Sequence, residues 1–169
     1  MSDEIEQEGD VLADKRWSIY YDRNEKYDDD LEDVYTELES DKPNHLWIEE
    51  RLTQELAKEN PVAQYALGLW YLEGKHHYKK DLVKGVALLQ DAVKKRVPEA
   101  CLALGRCYEL GTGLTVDHRK AFELYILSAI YGEDEAFKEV SRCYENGKGV
   151  DKDLRLSEIW QERGENILT

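Results

Sequence analysis

No stretch of this chain approaches the ~20 consecutive apolar residues of a helical membrane span, and no membrane association is expected. Cysteine is scarce. Cys101, Cys107 and Cys143 cannot all pair with one another, and none belongs to a C-x-x-C motif. Small buried thiols in a reducing compartment are therefore expected, and with them a cytoplasmic location. The opening MSDEIEQEGD is acidic and polar, the reverse of the basic and apolar regions of a secretory signal. A basic surplus is missing as well. There are 23 Lys/Arg against 37 Asp/Glu, a formal charge of −14, which disfavours binding to a phosphate backbone and excludes nucleic acid as the expected partner. The sequence carries no P-loop, no dinucleotide-binding glycine fingerprint and no G-x-S-x-G elbow. His76-His77 and His118 have no cysteine or paired acid at ligand spacing, so neither a metal nor a cofactor is expected. The many carboxylates are not isolated among apolar residues in a way that would tune one for acid–base work. The chain does not read as an enzyme.

The negative charge is concentrated at one end. Residues 1–41 hold 16 Asp/Glu and 4 Lys/Arg, a net −12, whereas residues 42–169 hold 21 and 19, a net −2. Such a composition fits a solubilising tail, yet apolar residues recur there at helical spacing. Trp17, Tyr20 and Tyr21 fall at i, i+3 and i+4, and Tyr27, Leu31, Val34, Tyr35 and Leu38 form a second stripe. Two amphipathic helices, at about 11–23 and 27–40, are predicted. A third, at about 44–59, would bury Leu46, Trp47, Leu52 and Leu56, and Asn60-Pro61 would end it. The expected organisation is an acidic N-terminal helical segment (1–43) followed by a solenoid (44–169).

The solenoid follows from a repeat. Three tandem units start near Pro61, Pro98 and Asp134 and run to about 97, 133 and 166. Ala63/Ala100/Ala136, Leu67/Leu104/Val140, Gly68/Gly105/Ser141, Tyr71/Tyr108/Tyr144, Gly74/Gly111/Gly147 and Asp81/Asp117/Asp153 correspond. The aspartates are spaced 36 and 36, and the glycine and tyrosine series 37 and 36, which inserts one residue between Gly74 and Asp81. Each unit reads as a helical hairpin. Gly74, Gly111 and Gly147 follow the last periodic residue of a first helix, where a left-handed C-cap is needed. Asp81, Asp117 and Asp153 open the second helix. One hairpin cannot bury its apolar face alone, so units at this period stack.

The pattern A-x-x-x-L-G-x-x-Y-x-x-G, followed by D-x-x-K-A-x-x-hydrophobic-aromatic, resembles the Sel-one-like repeat, a relative of the tetratricopeptide repeat. The resemblance covers about residues 61–166. It implies an all-α, right-handed α-solenoid and a role as an adaptor or scaffold for protein complexes. The third unit departs most, with Ser141 for the glycine, Leu156 for the lysine and Ser157 for the alanine, and Trp160 is assigned to the aromatic position. Unit one has Gly85 for that alanine and lacks the closing glycine found at Gly132 and Gly164.

The resemblance also implies where a partner binds, because the first helix of each pair lines the concave side. That maps to Tyr65, Leu69, Leu72 and Glu73 in unit one, and Leu102, Arg106, Glu109 and Leu110 in unit two. Unit three contributes Lys138, Arg142, Glu145 and Asn146. The groove would run from apolar to charged, unless the N-terminal helices cover its apolar end as a cap. Arg106 and Arg142, one repeat apart, are placed to clamp a partner carboxylate, or else to pair with Glu109 or Glu145 on their own helices. Asp28, Asp29, Asp30, Glu32 and Asp33 form an alternative acidic face. A protein partner is expected, with oligomeric state left open. Most concretely, a cytosolic immunity protein that neutralises a bacterial toxin fits an acidic chain steered onto a basic enzyme. A general scaffold or regulatory adaptor is the alternative, and a hydrolase the remote one.

Overall fold

The computed structural model describes residues 31–167, and eight α-helices follow one another through them. These are α1 (Glu32–Leu38), α2 (His45–Ala57), α3 (Pro61–Glu73), α4 (Leu82–Lys94), α5 (Pro98–Leu110), α6 (His118–Tyr131), α7 (Asp134–Asn146) and α8 (Leu154–Ile167). The pairs α3–α4, α5–α6 and α7–α8 are the three repeat hairpins of an α-solenoid. Their local geometry recurs because the same residues impose it. Gly74, Gly111 and Gly147 take φ of 71°, 72° and 66° and close the first helices. The Asp81, Asp117 and Asp153 carboxylates each accept from the backbone N–H three residues on, all at 3.0 Å, and so cap the second helices. Their own N–H groups donate to the carbonyls of Tyr71, Tyr108 and Tyr144 at 2.8–2.9 Å. That bond fixes where the second helix starts against the first.

Small residues let the two helices of a hairpin approach. A Cβ added at Gly105 would stand 2.6 Å from the Tyr125 ring, a distance only glycine avoids. Unit three solves the same contact differently. The Ser141 hydroxyl hydrogen-bonds the Ser157 carbonyl at 2.9 Å, with the two hydroxyls 3.0 Å apart. The third unit's departures are thus a polar version of one contact. Trp160 needs correction. Ser157 lies four residues after its capping aspartate, as Ala121 does, so Gln161 and not Trp160 stands at the level of Tyr125. Trp160 packs on Phe137 instead, ring centroids 5.7 Å apart.

Stacking buries a chain of apolar clusters, each spanning a junction between units. Leu72, Val86, Leu89, Ala92 and Val97 of unit one pack with Ala100, Leu104 and Cys107 of unit two. Leu102, Ala121, Tyr125 and Ala129 pack with Ala136, Phe137, Val140 and Cys143 of unit three. At the other end, Leu31 just before α1, Val34 of α1, and Ile48 and Leu52 of α2 pack with Ala63, Leu67 and Trp70 of α3.

This last cluster shows that α2 stands where the second helix of a preceding unit would. Glu59, Arg96 and Gly132 all have positive φ (57°, 63° and 109°) one residue before a first-helix N-cap. The N–H of each cap, Asn60, Val97 and Glu133, donates to the carbonyl of Glu55, Ala92 and Ser128 respectively. Those three residues are fully buried. Alanine needs no partner there, and the Ser128 hydroxyl donates to the Pro98 carbonyl at 2.7 Å. A glutamate at this position needs a built site. Glu55 has one in Arg51, Lys58 (2.7 Å) and the Asn60 amide (3.1 Å). Burial pushes its carboxyl up, but those bonds outweigh burial and hold it down at about 2.

The turn of each unit docks against the preceding second helix. Gly149 (φ 76°) leaves no room for a side chain, since a Cβ there would meet the His118 carbonyl at the start of α6 at 2.0 Å. Unit one, with its inserted residue, has His76 and His77 instead, at φ 52° and 68°. His77 packs edge-on against His45 at the start of α2, centroids 4.0 Å apart, and His76 lies against Trp70 at 4.5 Å.

Two expectations about the N-terminal helices change. The helix placed at 27–40 is Glu32–Leu38 among the described residues, and the helix at 11–23 lies outside them. In α2 the buried face is Ile48, Leu52 and Glu55. Leu46 and Trp47 are 68% and 36% exposed, because a stripe through Ile48 and Leu52 turns them away from α3.

Candidate functional site

First-helix residues of neighbouring units lie side by side along one face, where the resemblance places the partner surface. Across α3 and α5 that face opens into a groove of about 340 Å³, floored by Tyr65, Leu69, Leu72, Leu102, Ala103 and Leu110. Glu73, Glu99, Arg106, Cys107, Thr112, Glu133 and Glu135 complete its lining. Seven of the predicted residues meet here: Tyr65, Leu69, Leu72, Glu73, Leu102, Arg106 and Leu110, the last of them 73% exposed. Among the described residues the apolar end is uncovered, because Leu31 and Val34 pack with Ile48, Leu67 and Trp70.

The groove's electrostatics are lopsided. Glu73 pairs with Lys75 at its rim. Arg106 reaches across to the next unit, 2.7 Å from Glu135 and 3.2 Å from Glu139. Burial raises the Glu133 carboxyl from its ordinary value, and the nearby Glu99 carboxylate raises it further. Tyr65 is pushed up to about 12 by burial first and then by the fields of Glu99, Tyr35 and Glu133. Cys107 also lines the groove as a buried thiol raised by desolvation, unsuited to act as a nucleophile.

The remaining predicted residues are not in the groove. Glu109 and Arg142 form the seam between units two and three. Arg142 binds Glu109 through two guanidinium nitrogens at 2.9 and 2.6 Å, and also reaches Glu139 at 2.7 Å. Lys148 (2.7 Å) and the Tyr125 hydroxyl (2.6 Å) donate to the same Glu109 carboxylate. The Arg142 bonds, against burial, hold Glu109 at about 2. Arg142 therefore bridges to the preceding repeat and not to Glu145 on its own helix. Lys138 and Glu145 are exposed farther along α7.

Of the acidic face, Asp28, Asp29 and Asp30 lie outside the described residues. Glu32 is exposed, and Asp33 is tied to Arg51 at 2.9 Å. Reading the sequence alone missed Glu99, Glu133 and Glu135. Glu99 and Glu135 occupy the same register position as Val62, one turn before the concave residues, and that register was the available signal.

A family model for the Sel1 repeat matches residues 61–95, 98–130 and 139–163. The chain belongs to the Sel1 repeat family. Among curated relatives it is 34% identical over 107 residues to chitin synthase regulatory factor 3 of Schizosaccharomyces pombe. It is 33% identical over 110 residues to chitin synthase regulatory factor 2 of the same yeast. Each match covers 60% of this chain but only 12% and 22% of those much longer proteins. Two solved structures share the fold. A protective antigen of uropathogenic Escherichia coli with an SLR fold superposes with a TM-score of 0.77 at 22% identity, over 89% of this chain and 33% of its own. A Sel1 repeat protein from Oxalobacter formigenes gives 0.66 at 25% identity, over 75% and 92%. Both structures support the Sel1 solenoid.

Proposed function

We propose that this Sel1 repeat chain is a non-catalytic regulatory adaptor that holds a protein partner in the groove across units one and two. The observation that carries this reading is an apolar-floored groove of about 340 Å³, open among the described residues and built from first-helix and adjoining turn residues. A soluble surface seldom leaves Leu69, Leu72, Leu102 and Leu110 together along one trough without a use. The two relatives whose names declare a regulatory role, in chitin synthase control, favour an adaptor over a catalyst. A second reading, capture of a basic toxin by an immunity protein, draws on the net −12 of residues 1–41.

Site-specific photo-crosslinking in the source cell tests the groove. A crosslinker at Leu69 or Leu110 is expected to label one protein that a crosslinker at Val83, exposed on α4, does not. Labelling from Val83 alone would move the binding surface off the groove. If the labelled protein is a basic enzyme, toxic when expressed without this chain, the immunity reading displaces the adaptor.

A further inference from the structure

The chain itself holds a segment that fits the groove, and this regulates binding only if the groove is the partner surface proposed for it. All four Lys/Arg of residues 1–41 fall in one stretch, at Lys15, Arg16, Arg23 and Lys26, and with Asp22 and Glu25 they give residues 15–26 a net +2. The other 29 residues of that quarter hold 14 acids and no base. The same stretch contains Trp17, Ile19, Tyr20 and Tyr21, so one basic, aromatic segment is set within an acidic surround. We propose that residues 15–26 occupy the groove of their own chain until a partner displaces them. Trp17 and Tyr20 would lie on its apolar floor, and the basic side chains at its glutamate rim.

Three observations favour this occupant. The first is where the described chain begins. Leu31 packs in a cluster with Ile48, Leu67 and Trp70, and Leu69, which lines the groove, packs against that same cluster. Lys26 stands five residues before Leu31. Five extended residues reach about 17 Å, enough to pass the roughly 8–10 Å between packed helix axes. The second is charge. Glu73, Glu99, Glu133 and Glu135 line the groove against Arg106. Glu73 pairs with Lys75, Arg106 with Glu135 and Glu139, and Glu133 accepts from the Glu135 N–H. Counted with Lys75 and Glu139, five carboxylates still stand against two cations, so the lining carries a net negative field whatever its internal pairs. The apolar hollow lined by Val93, Leu104, Tyr108 and Leu127 has Lys94 and Lys120 against Glu123 instead, the wrong sign for residues 15–26. The third is size and tethering. A groove of about 340 Å³ takes a few side chains and not a folded domain. A segment tied so close to it meets it at an effective concentration of order millimolar. Contacts too weak to hold a free peptide therefore suffice, and a tighter partner still displaces them.

Photo-crosslinking in the purified full chain is the test. A benzophenone side chain at Leu110, on the groove floor, is expected to crosslink residues 15–26, read by peptide mapping. One at Val83, exposed on α4, is not. In an equal mixture of light and heavy isotope-labelled chains, each crosslinked pair of peptides should carry one label only. Lys15→Glu/Arg16→Glu and Trp17→Ser/Tyr20→Ser should each lower the yield about fivefold or more. Salt at about 0.5 M should lower it in the wild type. No crosslink from Leu110 to residues 15–26, or an unchanged yield in either variant, would overturn the occupant. Mixed-label pairs would overturn it as well, since a second copy would then fill the groove. The partner reading survives each of these results if Leu110 still labels a protein in the source cell. A partner labelled from Val83 alone, with residues 15–26 still crosslinked from Leu110, would instead remove the partner from the groove and keep the segment there.

Discussion

The two junctions of this solenoid have the same backbone geometry and opposite surfaces. Between units one and two, Leu69, Leu72, Leu102 and Ala103 with Tyr65 make an apolar floor, and a groove remains. Between units two and three, the positions one repeat on carry Arg106, Glu109, Glu139 and Arg142, and ion pairs seal the seam. The contrast starts in sequence: Leu69 corresponds to Arg106 and Arg142, and Leu72 to Glu109 and Glu145. Repeat stacking decides only that these positions face the concave side. Whether the side becomes a trough or a seam depends on whether adjacent units carry opposite charges within reach of one another. A groove and a rivet are two decorations of one frame.

The seam can be broken most directly at Glu109. Its carboxylate is 8% exposed and accepts from Arg142, Lys148 and Tyr125. Glu109→Ala takes this acceptor from Lys148 and the Tyr125 phenol and leaves Arg142 with Glu139 alone, and a cost of about 2–3 kcal/mol is expected in urea titration. That is less than for a fully buried pair, because Arg142 and Lys148 remain 37% and 38% exposed. A loss below about 0.5 kcal/mol would mean that the seam is decorative.

Acid should act on the seam and on the buried Glu55, and leave the groove junction's apolar packing alone. Both carboxyls are held at about 2 in the folded chain against an ordinary 4.5. The unfolded chain therefore binds protons first. Each group's contribution is present in full above about 4.5 and is lost as pH falls from there through about 2, of order 2 kcal/mol apiece. A pH series of melts should show this slope, and Glu109→Gln should flatten it. An unchanged slope in that variant would place the acid sensitivity elsewhere.

Arg106 is the weaker partner in the comparison. It is 41% exposed, and its acceptors Glu135 and Glu139 are 55% and 17% exposed. Arg106→Ala should cost only about 0.5 kcal/mol, measured by the same urea titration, and a cost as large as that of Glu109→Ala would erase the distinction. Smallest of all is the stability effect expected at Leu110, which is 73% exposed. Leu110→Ser should leave the melt within error while weakening partner binding. A lowered melt with intact binding would make it a packing residue.

Much of the frame was legible because single residues enforce it. The Asp81/Asp117/Asp153 caps and the Gly74/Gly111/Gly147 turns place the end of each first helix and the start of each second helix. They act within a few residues of themselves, so sequence spacing is enough to read them. The groove was half legible. The first helices were known to face inwards, but side-chain pairing across units depends on distances between residues 29 to 39 positions apart. Arg142 was thus read with Glu145 on its own helix when its acceptor is Glu109. Glu99 and Glu133 were missed because a first-turn acid reads as a helix-dipole residue, and only stacking brings the two into one groove. At α2, Leu46 and Trp47 were assigned to the core on hydrophobicity alone. Their register relative to Ile48 and Leu52 turns them out, and the fully buried side chain is a glutamate.

The central claim is that binding belongs to the open junction and stability to the sealed one. The most direct measurement is the affinity of the crosslinked partner for two variants, Leu69→Ala in the groove and Lys138→Glu/Glu145→Lys on α7. The account predicts at least a tenfold loss for the first and an unchanged affinity for the second. Full affinity with Leu69→Ala and a clear loss with the α7 pair would contradict it, and would place the binding surface on unit three.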